Sequence, residues 1–157
     1  MIGERLCGPG METHRAEGSY HLGSAGNDTR ARIWLVEDNP DDVYLVQKAM
    51  AHRGIPCDLT CFADGEKAIR AISECQNVPD LILIDLKLPR RDGFDVLRAV
   101  RSTPSLVDVP IGILTSSNAE TDRHRASLQG IKLYILKPAD YDQFLERVGD
   151  SIASLLA

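Results

Sequence analysis

Thirteen residues, Leu81 to Gly93, constrain the fold of this chain more than any other stretch: Leu81-Ile82-Leu83-Ile84-Asp85-Leu86-Lys87-Leu88-Pro89-Arg90-Arg91-Asp92-Gly93. An apolar run ends abruptly in a carboxylate. The run is too short to cross a membrane and too uniformly apolar for a strand with one wet face. It reads as a strand covered on both faces, as in a parallel sheet. Asp85 falls where that strand leaves the sheet, and ligands of open parallel sheets bind just beyond such ends. Pro89 and Asp92-Gly93 mark a turn before the next periodic segment.

The neighbouring segments repeat the pattern. Ile33-Trp34-Leu35-Val36 is a short apolar run ending in Glu37-Asp38. Asn39 suits a helix N-cap, Pro40 its first turn, and Asp41 and Asp42 complement the positive end of the helix dipole. Val43, Val46 and Met50 recur at helical spacing up to Gly54 and Pro56. Cys57 to Phe62 reads as a strand, and Asp64-Gly65 opens a helix with the stripe Ala68, Ile69, Ile72 and Cys75. After the central strand comes a helix carrying Phe94, Leu97 and Val100. Pro104 and Pro110 bracket a loop before the strand Ile111 to Thr115. Ser117 and Glu120 have capping-box spacing for a helix over about 119–129. That helix is polar nearly all round, with Ala126 and Leu128 as its core candidates, so it is expected to be the least firmly packed. Ile131 to Leu136 is a last strand closing on Lys137-Pro138. The final helix follows Asp140 and carries Leu145, Val148, Ile152 and Leu155.

Strands alternating with helices throughout give an α/β class: a doubly wound parallel sheet with right-handed crossovers and helices on both faces. At 157 residues, one domain is expected. Residues 1–30 show neither helical nor strand period and are expected to be a disordered leader, with the folded domain over 31–157. The net charge of −5 argues against a nucleic-acid footprint or an anionic membrane surface. No apolar stretch approaches the about 18 residues of a membrane span. A basic region followed by an apolar run is missing from the N-terminus, which leaves the cytoplasm as the expected compartment. The cysteines agree with it: Cys57 and Cys61 would stand about 13 Å apart on one strand, too far to bond.

In a parallel sheet the C-terminal strand ends share one edge. The first strand brings Glu37 and Asp38 there, the third Asp85, the fourth Thr115 and the fifth Lys137. Clustered carboxylates repel and need positive charge among them. A hard divalent cation with oxygen ligands supplies it, and magnesium takes one or two carboxylates together with waters and phosphate oxygens. Lys137 adds a fixed ammonium and Thr115 a hydroxyl. Such a set matches phosphoryl transfer, with Asp85 as nucleophile.

Taken together, Glu37-Asp38, Asp85 with Pro89 and Asp92-Gly93, Leu114-Thr115-Ser116 and Lys137-Pro138 resemble the receiver (response-regulator) domains of two-component signalling. The resemblance runs from about Arg32 to the C-terminus. It implies a flavodoxin-like five-stranded sheet of order 2-1-3-4-5. Asp85 would accept a phosphoryl group from a histidine kinase, with Thr115 and Lys137 contacting its oxygens. Asp38 and Asp85 would ligate Mg2+ directly, Glu37 through water, and Lys87 by its backbone carbonyl. Tyr134 matches the family's aromatic switch position beside Thr115, and Lys137-Pro138 would be cis. The wording around Asp85 and Thr115 is most similar to stand-alone receivers that partner phytochrome-type kinases. The protein would then be a signalling switch rather than an enzyme. Output would pass to a downstream protein, to a phosphotransfer partner, or through a homodimer formed by the fourth helix, fifth strand and fifth helix.

Lys87 departs from the family, where a neutral residue often stands two after the acceptor. It also separates this chain from dehalogenase-type phosphohydrolases, which place an acid/base Asp there; a lysine is no acid near neutral pH. An FMN carrier would need a phosphate cradle after the first strand, where this chain is acidic. A receiver fold used only for docking is the remaining alternative.

Overall fold

The computed structural model describes residues 4–6, 11–15, 30–131 and 133–157, the first two segments as backbone only. Helices and strands alternate as expected. β1 (Glu4–Leu6) and β2 (Met11–Arg15) precede β3 (Ala31–Val36), α1 (Pro40–His52), β4 (Cys57–Phe62) and α2 (Gly65–Ser73). Then come β5 (Leu81–Ile84), α3 (Gly93–Arg101), β6 (Ile111–Thr115), α4 (Glu120–Leu128), β7 (Leu133–Leu136) and α5 (Tyr141–Leu156).

The sheet order is β1-β2-β4-β3-β5-β6-β7. From β4 to β7 every pairing is parallel, so the five expected strands stand in the order 2-1-3-4-5. β2 adds to the free edge of β4 in antiparallel register, and β1 pairs β2 likewise. These two strands fall inside the stretch expected to be a disordered leader. Their mixed polar sequence lacks alternation, and an edge ladder asks only for backbone groups. The rest of that leader lies outside the described residues.

Alternate side chains of each strand feed two cores, one on each face of the sheet. Leu81 and Leu83 join Val46, Ala49 and Met50 of α1 and Phe144, Val148 and Ile152 of α5. Ile82 and Ile84 join Ala68 and Ile72 of α2, Phe94, Leu97 and Val100 of α3, and Ala126 of α4. All four residues of β5 are at most 1% exposed, which confirms a strand covered on both faces. Cys57 and Cys61 lie buried as thiols.

Caps follow the sequence at four helices, Asp140 accepting from the Gln143 N–H at the start of α5. Asn39, Asp64 and Asp92 accept hydrogen bonds from the backbone N–H groups of Asp41, Lys67 and Asp95. The exception is α4. Ala119 occupies its N-cap without a side-chain bond, and the Ser117 hydroxyl turns to the Asp122 carboxylate at 2.5 Å instead of forming a capping box with Glu120. Leu128, a core candidate, is 71% exposed at the last residue of α4. Ala126 is the helix's one buried residue.

Candidate functional site

Parallel pairing of β3 with β5 sets Val36 beside Ile84, so Glu37-Asp38 and Asp85 leave the sheet side by side. Asp85 donates its backbone N–H to the Val36 carbonyl, extending the ladder by one rung and fixing where its side chain starts. On the other flank β6 and β7 pair through Thr115 and Leu136, and the Lys137 N–H continues to the Thr115 carbonyl at 2.8 Å. Residues from four strands thus meet over one end of the sheet.

Lys137 is the centre of the cluster. Its Nζ donates to Glu37 Oε1 at 2.7 Å, Asp42 Oδ2 at 2.7 Å and Asp85 Oδ2 at 3.0 Å. The other Asp85 oxygen accepts the Lys87 backbone N–H at 3.1 Å. Glu37 and Asp85 are buried, and Asp38 is exposed at the rim. Oxygens of Glu37, Asp38 and Asp85 all lie within 4.8 Å of one another.

Burial drives the Glu37 carboxyl up to about 7, against the opposing pull of the Lys137 ammonium; the Asp85 charge pushes the same way as burial. Burial alone would lower the Lys137 ammonium. Hydrogen bonds to Asp42 and Glu37, with the charges of Glu37 and Asp85, outweigh it and raise the group above its ordinary value. Three carboxylates around one ammonium, with Asp38 beside them, leave net negative charge in a partly dry site. An all-oxygen donor set with surplus negative charge fits a hard divalent cation.

Thr115 is fully buried, and its Oγ1 accepts the Ser117 N–H at 3.2 Å. The Tyr134 phenol donates to the Ser117 carbonyl at 2.8 Å, while the Arg123 guanidinium lies over the Tyr134 ring at 4.6 Å. Burial raises the Tyr134 phenol above its usual value. Thr115 and Tyr134 therefore meet at one residue, Ser117. The Lys87 side chain does not turn toward Asp85; its Nζ lies 3.9 Å from Asp122 Oδ2 on α4.

The structure brings together Glu37, Asp38, Asp85, Thr115 and Lys137, each anticipated from its strand end. It adds Asp42, which the sequence suggested only as a partner of the helix dipole. No spacing in the sequence pairs it with Lys137, because a carboxylate in a first helical turn satisfies the dipole whichever way it points. The cis bond expected at Lys137-Pro138 is not present: the peptide is trans, the ordinary preference of an X–Pro bond.

Three comparisons bear on this geometry. The response regulator receiver domain family matches residues 33–149. Response regulator Rcp1 of Synechocystis sp. (strain ATCC 27184 / PCC 6803 / Kazusa) is 32% identical over 121 residues, 74% of this chain and 82% of its own length. The structure of the phosphorylated cyanobacterial phytochrome response regulator RcpA aligns at a TM-score of 0.76 and 32% identity, covering 82% of this chain and 96% of that one. The Mn(2+)-bound form of Rcp1 gives 0.74 at 30% identity, covering 80% and 94%.

Proposed function

The chain belongs to the response regulator receiver domain family, and from that premise we propose that Asp85 is the residue through which it is switched, by phosphoryl transfer from a histidine kinase. The observation that carries this reading is the Lys137 ammonium 3.0 Å from a carboxylate that ends the most deeply buried strand. An Asp85 oxygen attacks phosphorus, and the bond from phosphorus to the donor's histidine nitrogen breaks with its electron pair leaving on that nitrogen. Lys137 and the Thr115 hydroxyl neutralise the phosphoryl oxygens.

Asp38 and Asp85 would hold Mg2+ directly, Glu37 through water, and the Lys87 carbonyl would complete the set. Bound there, the ion supplies further neutralisation of the transferring oxygens. The all-oxygen cluster of Glu37, Asp38 and Asp85 supports this assignment. Thr115 and Tyr134 form the switch, since both bond to Ser117 at the start of the loop leading to α4.

Likeness to a cyanobacterial phytochrome response regulator supports a phytochrome-type kinase as the donor; the cytoplasm is the proposed compartment. The chain's own activities reduce to accepting the phosphoryl group and losing it. For output, exposed apolar side chains on α4 (Leu128), β7 (Leu136) and α5 (Tyr141) support a homodimer face or a docking face for a downstream protein.

Incubation with magnesium and acetyl phosphate, read by intact mass, tests the reading. The parent should gain one phosphoryl mass and Asp85→Asn none. Equal labelling of the two proteins overturns the assignment of Asp85, and an unlabelled parent favours the docking module.

A further inference from the structure

Asp122 lies outside the phosphoacceptor cluster, yet it is the residue that ties the acceptor loop to α4. Its carboxylate sits in the first turn of that helix with the side chain only 14% exposed. One oxygen, Oδ2, accepts the Ser117 hydroxyl at 2.5 Å and faces the Lys87 ammonium at 3.9 Å. Ser117 in turn uses its N–H on Thr115 and its carbonyl on Tyr134. Asp122 is thereby held in place by Ser117, and it offers a fixed negative charge to a lysine that is otherwise free to turn.

We propose that Asp122 is a positioning residue for the phosphoryl chemistry: it draws the Lys87 ammonium onto α4 and away from the phosphoryl site. This rests on the reading of Asp85 as acceptor. Lys87 follows Asp85 by two, and its backbone N–H already bonds to the Asp85 carboxylate. A long, flexible side chain anchored there reaches either α4 or the mouth of the site. Opposite charge on Asp122 selects α4.

The consequence concerns loss of the phosphoryl group. In that step a water oxygen bonds to phosphorus and the bond from phosphorus to Asp85 breaks, its electron pair returning to the carboxylate. Inorganic phosphate leaves, and the water's protons pass to phosphate and solvent. An ammonium turned toward the phosphoryl oxygens stabilises the acyl phosphate and crowds the path of the water. It also adds like charge beside a divalent ion. With Lys87 held on Asp122, hydrolysis runs unobstructed and the metal site is spared that repulsion.

The test compares the parent with Asp122→Asn, Asp122→Glu, Lys87→Asn and the Asp122→Asn/Lys87→Asn double variant. After labelling with acetyl phosphate and removal of donor, loss of phosphoryl mass is followed with time. Magnesium midpoints are read from the rise in melting temperature. Because the pair is exposed at its lysine end, Asp122→Asn should slow the loss about threefold rather than by orders of magnitude. It should also weaken magnesium binding. Asp122→Glu should restore both, and in the Lys87→Asn background Asp122→Asn should change neither. A shift that persists without Lys87 assigns Asp122 a structural role in α4 and overturns the proposal. So do a rate and midpoint that stay at the parent's values while Asp85 is labelled. The magnesium midpoints need no label: a Lys87-dependent shift in a parent that takes no phosphoryl group upholds the pairing and removes the reading of Asp85 instead.

Discussion

The Lys137 ammonium lies 2.7 Å from Asp42 Oδ2, as close as it comes to Glu37 and closer than it comes to Asp85. A carboxylate on the first turn of α1 therefore shares the lysine that bonds Asp85, the proposed phosphoacceptor. Asp42 keeps Lys137 protonated and drawn toward α1, leaving Asp85 with the longest of its three contacts.

Replacing Asp42 by Asn should test that division. Bonds to charged groups contribute more than neutral ones, but Asp42 is partly exposed, so the expected loss is about 1 kcal/mol. Urea unfolding in metal-free buffer measures it. Labelling of Asp85 should persist, because Glu37 and Thr115 remain. An unchanged urea midpoint would show that the contact contributes nothing to the fold.

Glu37 gives the protein a pH dependence whose sign follows from burial. Its carboxyl is raised from 4.5 to about 7, so between these values the folded protein holds a proton that the unfolded chain has released. The stability this proton confers is complete below 4.5 and is lost as pH rises through about 7. Each pKa unit corresponds to about 1.4 kcal/mol, so the loss is on the order of 3 kcal/mol. Glu37→Gln carries no such charge. In the absence of metal the variant should unfold at higher urea than the parent at pH 8, with the gap closing toward pH 5. A gap that stays constant across that range would refute the assignment to Glu37.

Two glycines fix the acceptor loop against its neighbours. A Cβ on Gly93 would collide with the Asp85 carbonyl and come within 2.7 Å of Leu86 Cα; one on Gly65 would collide with the Arg91 carbonyl. Both obstacles are backbone and cannot swing aside. Gly93→Ala should cost about 1–3 kcal/mol, the usual range for overpacking, and should reduce labelling because the strain falls on Asp85 itself. Gly65→Ala should cost at least as much in stability while affecting labelling less, since Arg91 lies six residues beyond the acceptor. Melting temperature and labelling rate, measured on both variants, separate the two effects.

Much of this site could be read from the chain because it depends on where apolar runs stop. β3, β5, β6 and β7 end within a residue of Glu37, Asp85, Thr115 and Lys137, and parallel pairing does the rest. What could not be read depends on side-chain direction. An acidic residue in a first helical turn satisfies the dipole wherever it points, so Asp42 looked complete without Lys137. Ser117 and Glu120 had the right spacing for a capping box, but Asp122 competes for the same hydroxyl. Leu128 fits a helical period, yet α4 has no neighbour there to cover it. β1 and β2 are held by ladder bonds, and backbone pairing leaves no apolar signature in the residues that make it.

The readout surface should be found where packing is weakest. α4 buries Ala126 alone, and its N-terminus has no side-chain cap, so its amides should exchange faster than those of α3, which buries Gly93, Phe94, Val96, Leu97 and Val100. Beside Ala126 and the Arg123–Tyr134 contact, a polar tie to the sheet passes through Ser117, where the Thr115 hydroxyl, the Tyr134 phenol and the Asp122 carboxylate converge. On the proposed assignment, a phosphoryl group on Asp85 would compete for the Thr115 hydroxyl, shifting one of the three and so biasing the other two. Beryllofluoride with magnesium mimics that group without turnover. Hydrogen exchange should then change across residues 115–131 and 133–140 and remain unaltered in α2. Tyr134→Phe, which removes the bond to the Ser117 carbonyl, should speed exchange in α4 before any mimic is added and shrink the response to it. Equal protection with and without beryllofluoride across this segment would place the readout elsewhere on the molecule.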